Sequence, residues 1–414
     1  MANTLLTSTI VTKESGFAYT NNVRFVSQIT HKYDPYFASQ PKGGKPGDTI
    51  FARMPVRFEP KTGQALQQQN IYELSVPVVM EEQFQVAFGW SSADAALSIE
   101  EVRERYIDTA IATLANQVDV YAITKVFKDV WNVVGTPGTQ PSAFLTLTTA
   151  VSKIVNQAVD DKDLVACLAP LSMATIANAN STLFNPGSAV SESYRSGMLE
   201  SPASGIQRFY REPNVQSYLT GTSTAATPLI NGANQTGSTL ITNGWASSAS
   251  TLKKGDTFTI GGVYTLNPLS YTNTAQLQDF VVTADTTSVG VDMATLPISP
   301  SIVITGPLRN VSNSPAAGAV ITVKGFTTPS GGTMTATQSL QNLIFHKEAF
   351  TFVTVDMLKP AGGVDCEFFR SKAAGVSMRF LSGYDMLNDQ NPSRLDILGG
   401  AASLQVRGAC RVYA

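Results

Sequence analysis

The sequence predicts an α+β subunit in which a small all-β domain interrupts a helix-bearing host. Three observations carry that expectation. A Ser/Thr-rich block occupies 219–343, a long amphipathic helix opens at Ser98, and an extended two-stranded excursion fills 38–76. In the block, 37 of the 121 residues from Thr220 to Leu340 are Ser or Thr. Eight carry a formal charge: Lys253, Lys254, Asp256, Asp279, Asp285, Asp292, Arg309 and Lys324. Both flanks are richer in charge and helix-like, so the block reads as an insertion. Within it, Thr257–Ile260, Val263–Leu266, Phe280–Thr283, Ile302–Thr305 and Val320–Val323 read as short strands between Gly, Pro and Asn turns. Short, regularly spaced strands suggest a small sandwich or barrel.

The host elements follow in chain order. The first thirty residues are polar with scattered apolar positions and suit a short helix or an arm. The turn-rich segment Pro41 to Asp48 leads into two strand-like runs, Thr49–Met54 before Pro55 and Ile71–Val76 before Pro77. Prolines at strand ends mark edges. A lone hairpin is marginal in water and needs another surface to rest on. The helix at Ser98 carries a capping box with Glu101 and a staple between Leu97 and Val102. Val102, Tyr106, Ala110, Leu114, Val118 and Tyr121 repeat at helical spacing, and nothing breaks the pattern before Gly135. At 1.5 Å per residue a helix over 98–132 would reach about 50 Å, long enough to act as a spine. Further helices are expected at 142–158 and from Pro170 to Asn180. Strands are expected at Leu164–Ala169, Ile206–Tyr210, Val215–Leu219, Leu343–His346, Phe350–Val355, Phe368–Phe369 and Val376–Leu381. The last strand is Ser403–Val406 or Cys410–Tyr413.

Composition bounds the function. The 414 residues suit two to three domains. Only 14% are charged, against roughly 25% in an ordinary soluble domain, which favours a surface covered in an assembly. A net charge of −2 lacks the whole-chain footprint of a nucleic-acid binder. No run of about 18 apolar residues could span a membrane. The start shows neither the basic nor the apolar region of a secretory leader. Cys167, Cys366 and Cys410 are widely spaced and odd in number, fitting neither a disulfide framework nor a zinc site. Synthesis in a reducing cytosol is therefore expected.

The chemistry-bearing motifs are missing. Only His31 and His346 could serve as imidazole bases, and His346 reads as packing or a surface hydrogen bonder. There is no His-Glu-x-x-His, no Walker A loop and no Gly-x-Gly-x-x-Gly. Gly375-Val376-Ser377-Met378-Arg379 fails the nucleophile-elbow pattern at its last position. The glycine pairs, Gly399-Gly400 among them, fit turns or close backbone approach. Glu81-Glu82 and Asp160-Asp161 diverge from one another and read as solvated surface. The expectation is no enzyme, no metal and no cofactor.

One charge pattern stands out. From Lys32 to Lys61, six bases (Lys32, Lys42, Lys45, Arg53, Arg57, Lys61) face three acids, net +3. From Asp94 to Asp108, five acids (Asp94, Glu100, Glu101, Glu104, Asp108) face two bases, net −3. One reading gives the acids to the helix dipole and the bases to a solvated loop. The other lays the hairpin of one subunit over the first turns of a neighbour's helix. Exposed pairs contribute about 0.2–1 kcal/mol each and would set register more than affinity.

The order is arm, extended hairpin, spine helix, α/β region, inserted β domain and return. It resembles the tailed-bacteriophage major capsid protein with the Hong Kong 97 fold, in the short-tailed-phage type carrying an inserted β-barrel. Ser193-Tyr194-Arg195-Ser196-Gly197, Gly205 and Arg211-Glu212-Pro213 resemble the lead into that insertion. Leu252-Lys253-Lys254-Gly255-Asp256-Thr257 through Val263 resembles a hairpin within it, and Leu5–Lys13 with the Asp48 region resembles the arm and hairpin entry. The resemblance implies an arm over 1–37 and a hairpin over 38–76. It implies a peripheral domain over 77–135 and 385–414, with the spine at 98–132. An axial domain would cover 136–218 and 344–384, and the inserted domain 219–343. It further implies pentamers and hexamers closing an icosahedral shell around double-stranded DNA without specific binding. Scaffolding and portal proteins would be partners, with a decoration protein as a further candidate. Synthesis would be in the bacterial cytoplasm. Some members crosslink through a lysine–asparagine isopeptide bond. Lys42 and Lys45 lie in the right region, but no acidic catalyst or asparagine partner accompanies them, so no crosslink is expected. The rival readings are a phage tail, decoration or host-adhesion protein, and a secreted hydrolase with a β accessory domain. The long helix and basic hairpin count against the first, the missing leader and catalytic set against the second.

Overall fold

A computed structural model describes residues 8–38, 45–91, 107–180, 203–249, 251–290, 292–325, 332–360, 364–371, 375–386 and 390–414. The chain divides into two compact units. The first takes residues up to Arg53, Ser75–Lys125 and Phe350–Leu404; the second takes Met54–Leu74, Val126–Ala349 and Gln405–Ala414.

The first unit is built on the long strand Gln390–Ser403. One edge pairs with Val376–Ser382, which pairs in turn with Asp365–Ser371. The other edge is shared: Glu82–Ser91 runs along residues 390–399 and Phe350–Thr354 along 399–403. Gly399 and Gly400 stand at that handover. A Cβ on Gly400 would collide with the Val79 carbonyl, and one on Gly399 with the Phe352 ring. The pair thus admits an aromatic ring at Gly399 and a backbone at Gly400 and is not a turn.

The N-terminal segment forms the helix Ser8–Asn22 and lies on Asp365–Ser371. Gly16 leaves room there for the Phe369 ring. The spine helix is described over Asp108–Val126. Ile107, Ile111, Leu114, Ala115, Val118, Ala122 and Ile123 are buried at three- and four-residue spacing, as an amphipathic helix requires. Its expected start, with Ser98 and Glu101, lies outside the described residues.

The expected end of that helix is corrected. It stops at Val126, a 3₁₀ turn covers Phe127–Asp129, and Val133–Val134 form a strand. The reason is tertiary. Val133–Val134 run parallel to Ala409–Tyr413. Asn132 donates to the Ala409 carbonyl at 3.0 Å and accepts from Gln157 at 2.8 Å. Sheet pairing of a β-branched run outcompetes continued helix.

The second unit holds a six-stranded sheet centred on Gln338–His346. Ala409–Tyr413 lies on one side; Leu164–Leu168 and Ser217–Leu219 share the other, and Arg208–Arg211 pairs parallel to Leu164–Leu168. Phe144–Asn156 and Pro170–Asn180 cover it, burying Leu147, Ile154, Met173 and Ile176 against Leu164, Ala166, Leu168 and Ile344. The final strand is therefore Ala409–Tyr413, and Ser403 ends a different strand. The sheets also divide 344–384 unlike the expected domain bounds. Phe350–Thr354 and Val376–Ser382 pair with Gln390–Ser403, whereas 409–413 join the sheet of 164–168.

The insertion is a nearly closed barrel. Its strand order is Ile321–Val323, Thr257–Leu266, Asn273–Val282, Ala294–Ile302, Gly237–Asn243, Leu229–Ile230. Hydrogen bonds from Ile230 to Ala319 and from Ile321 to Pro228, both 3.0 Å, join the two ends. The expected strands Thr257–Ile260 and Val263–Leu266 are one strand, irregular at Gly261-Gly262 where Gly262 has φ +81°. Phe258, Phe280, Leu240, Trp245, Leu296 and Ile321 fill the interior.

Candidate assembly surfaces

The extended hairpin pairs Thr49–Arg53 with Ser75–Val79, in register from Thr49 opposite Val79 to Arg53 opposite Ser75. The second strand lies four residues later than its sequence suggests, and Pro77 sits inside it opposite Phe51. The root sets this register. Met80 N–H donates to the Asp48 carbonyl at 2.9 Å and Gly47 N–H to the Met80 carbonyl at 2.7 Å. Between the strands, residues 56–70 contain no helix or strand. Glu59 N–H donates to Gln69 at 3.0 Å, and Lys61 meets Glu59 at 2.7 Å. Phe51, Phe58, Leu66, Ile71, Tyr72 and Leu74 are all large, apolar and exposed, Leu66 to 94%. Six such residues on one excursion make a surface that is incomplete alone.

The charged residues expected at the interface stand in different settings. Lys45 and Arg53 are exposed on the hairpin. Lys61 is engaged by Glu59. Arg57 is half-buried, and burial lowers its pKa, with Tyr271 acting in the opposite sense. Tyr271 donates to the Pro307 carbonyl at 2.9 Å and to the Phe58 carbonyl at 3.4 Å. Asp108 is the first residue of the described helix. Lys42, Glu100, Glu101 and Glu104 lie outside the described residues.

Two arrangements escaped sequence reasoning. At the hairpin root, Glu81 is no idle surface acid. Its carboxylate takes Lys125 Nζ at 2.6 Å and the Tyr121 hydroxyl at 2.8 Å, fastening the chain after the hairpin to the spine helix. Burial pushes Glu81 up, but these two donors outweigh it and its pKa falls. The 3.6-residue period places Tyr121 and Lys125 on one face, so the helical half was legible; the partner forty residues away was not.

The second is the seat of the barrel. Entry and exit strands pair, Leu219 opposite Gln338 and Ser217 opposite Leu340, so the insertion leaves and returns at one point. Asp256, from the Lys-Lys-Gly-Asp segment, accepts from Lys253 N–H at 2.8 Å, Tyr218 OH at 2.9 Å and Gly221 N–H at 3.1 Å. Burial pushes its pKa up, and these donors with Arg411 oppose the push. Arg411 is fully buried and donates to the Gly255 carbonyl at 2.9 Å. Thr257 meets the Tyr413 hydroxyl at 2.9 Å. Lys153 forms an ion pair with buried Asp279 and donates to the Val133 carbonyl at 2.9 Å. Buried charges survive only when paired and hydrogen-bonded.

His346 Nδ1 accepts from Glu348 N–H at 3.3 Å. Among the described residues no three His, Cys, Asp or Glu side chains converge as metal ligands, and no helix is long and apolar enough to cross a membrane.

A family model described as P22 coat protein, gene protein 5, matches residues 21–407. The chain belongs to the P22 coat protein family. As a P22-type coat protein it is a major capsid protein, building the phage shell from many copies of itself. No curated protein sequence matches it. Similar solved structures include Mycobacterium phage Che8 (TM-score 0.45, 10% identity, 94% of this chain and 90% of that chain). The capsid structure of cyanophage P-SCSP1u gives TM-score 0.43 at 11% identity, covering 90% of this chain and 85% of that one. The capsid of Ralstonia phage GP4 gives 0.39 at 8%, covering 89% and 84%. Likeness at these scores adds nothing to the family assignment. The order of elements in this coat protein, from arm helix and hairpin through spine helix to inserted barrel, is the order the Hong Kong 97 resemblance implied.

Proposed function

We propose that the hairpin is the coat protein's assembly arm, reaching over a neighbouring copy within pentamers and hexamers that close an icosahedral shell. The observation that carries this is the row of six exposed large apolar side chains on a segment with no core of its own. Covering apolar surface contributes roughly 25 cal/mol per Å², so the arm gains in the shell what the free subunit cannot offer. The bases Lys42, Lys45, Arg53 and Arg57 select where the arm lands, on the acidic first turns around Glu100, Glu101, Glu104 and Asp108 of the neighbour. Lys61, held by Glu59, contributes less. A scaffolding protein guides closure, a portal occupies one vertex, and a decoration protein is a further partner. The near-neutral shell encloses double-stranded DNA without gripping it. The subunit is made in the host cytoplasm, is not an enzyme, and forms no isopeptide crosslink.

Electron microscopy of the expressed chain, with and without a scaffolding partner, tests this reading. Replacing Lys42, Lys45 and Arg53 by Glu is expected to suppress shells while the far-ultraviolet dichroism and melting temperature of the subunit stay unchanged. Normal shells from the triple variant would rule out the hairpin–helix contact.

A further inference from the structure

His31 is held in an unusual way. Its Nδ1 lies 3.0 Å from the Phe352 carbonyl oxygen and its Nε2 lies 3.0 Å from the Val26 carbonyl oxygen. Carbonyl oxygens only accept. A neutral imidazole donates from one nitrogen and presents a lone pair at the other. Either neutral tautomer therefore aims a lone pair at a carbonyl, and only the doubly protonated ring satisfies both. We propose that His31 is an imidazolium clasp, a positioning residue whose two N–H groups hold residues 23–34 against the strand Phe350–Thr354 and so set the seat of the N-terminal arm.

The surroundings fit that role. The ring is roofed by the backbone of Gly375, where a Cβ would collide with the imidazole. Thr30 runs parallel to Thr351; its N–H donates to Phe350 at 3.2 Å and its carbonyl accepts from Thr351 Oγ1 at 2.9 Å. On the other side of the segment, spine-helix Asp119 accepts from Arg24 N–H at 2.8 Å and Val26 N–H at 2.9 Å. The clasp thus joins a turn anchored on the helix to a strand 321 residues further along the chain.

Charged groups surround the clasp on three elements. Asp34, Arg24 and Lys32 lie on its own segment, with Arg24 and Lys32 exposed. Asp119 stands behind Val26 on the spine helix. On the sheet side, Asp356 and Arg370 pair at 3.1 Å. Asp34 accepts from Thr354 N–H at 3.1 Å.

Losing the second proton removes one of two hydrogen bonds and sets a lone pair against a carbonyl. The clasped segment binds the proton more tightly than the open one. Seating is therefore complete below the ordinary histidine range, about 6.5, and decays as pH rises through the titration of the clasped ring. One linked proton corresponds to about a tenfold rise in the opening constant per pH unit in that window.

Two measurements on the full-length chain test the clasp. Nitrogen-15 spectra of histidine-labelled protein resolve the two imidazoles, with His346→Gln assigning the other ring. The expected result is the imidazolium pattern for His31 at pH 7; a neutral pattern at pH 6 overturns the clasp. Hydrogen exchange of the amides of residues 23–34 is then followed from pH 6 to 9. An Asp34→Asn background removes the other proton-binding group. Opening beyond the intrinsic rate is expected to grow about tenfold per pH unit in Asp34→Asn and to stay flat once His31→Gln is added. Identical profiles in the two proteins also overturn the clasp. Should the double variant fail to fold, the spectra of the wild-type ring decide by themselves.

Discussion

The hairpin and the inserted barrel are both excursions from the host sheets, and they solve the burial problem in opposite ways. The barrel closes on itself around Phe258, Phe280, Trp245 and Leu296, and its seat carries Asp256, Arg411 and the Lys153–Asp279 pair. The hairpin encloses nothing and exposes Phe51, Phe58, Leu66, Ile71, Tyr72 and Leu74. A segment that buries its apolar residues internally is finished in the single subunit. One that displays them leaves that surface open, and in the proposed reading another copy covers it. Substitutions in the barrel should therefore register in subunit stability, and substitutions in the hairpin should register in assembly.

The strongest way to break that contrast is deletion. Replacing Gly221 to Thr337 by a short Gly/Ser linker removes the Gly255 carbonyl that takes buried Arg411 and the Asp279 carboxylate that pairs with half-buried Lys153. Breaking the partner of a buried charge costs about 3–5 kcal/mol, and Arg411 keeps only its 3.4 Å hydrogen bond to Gln341, so the truncated chain is expected to aggregate or melt far below the full one. A soluble truncated subunit with an unchanged melting curve would show that host and barrel are independent. Next in size is Phe280→Ala, whose ring stacks on Phe258 with centroids 5.7 Å apart. It is expected to destabilise the subunit by about 3–5 kcal/mol. Leu66→Ala should change subunit stability by under about 0.5 kcal/mol yet slow shell formation measured by light scattering.

A pH effect of intermediate size belongs to Asp34. Burial pushes its pKa up to about 7, against the pull of the Thr354 N–H and of Arg370. Because the folded value is raised, the stability it contributes is complete below about pH 4 and falls as pH climbs towards 7. Asp34→Asn keeps the acceptor oxygen without the titration. It is expected to raise stability at pH 8 by about 1–3 kcal/mol after allowance for solvent screening, and to match wild type near pH 4. Equal melting temperatures at pH 8 would refute this. A small effect is also expected of Glu81→Gln at the hairpin root, where both side chains of the ion pair are partly exposed. Its loss should cost under about 1 kcal/mol, and a charge swap with Lys125 should restore it.

The legible and illegible parts divide by range of interaction. The helices expected at 142–158 and from Pro170 to Asn180 fall within two residues of Phe144–Asn156 and Pro170–Asn180, because helix formation is decided by neighbours three and four apart. Strands whose pattern is buried or alternating, such as Leu164–Leu168 and Val376–Ser382, were likewise visible. Glu82–Ser91 and Gln390–Ser403 were not. The first reads Glu-Gln-Phe-Gln-Val-Ala-Phe-Gly-Trp-Ser, and the second begins polar and ends in small residues, so neither advertises a strand alone. They stabilise one another by pairing over ten positions. The Lys-Lys-Gly-Asp segment was noticed as a resemblance, while its work at the barrel seat depends on Tyr218 and Arg411.

By itself, the order of residues determined the class of fold, the presence of an insertion with its own texture, the extended excursion and the absence of familiar catalytic motifs. Those are properties of composition and of short-range period, which each stretch of chain carries within itself. Only the tertiary structure decided where the spine helix stops, which strand closes which sheet, that Gly399 and Gly400 admit the Phe352 ring and the Val79 carbonyl, and that His31 stands between two carbonyls. Each of these depends on a partner tens or hundreds of residues away. A backbone group or a buried charge is satisfied by whatever the fold brings to it, and local sequence does not name that partner.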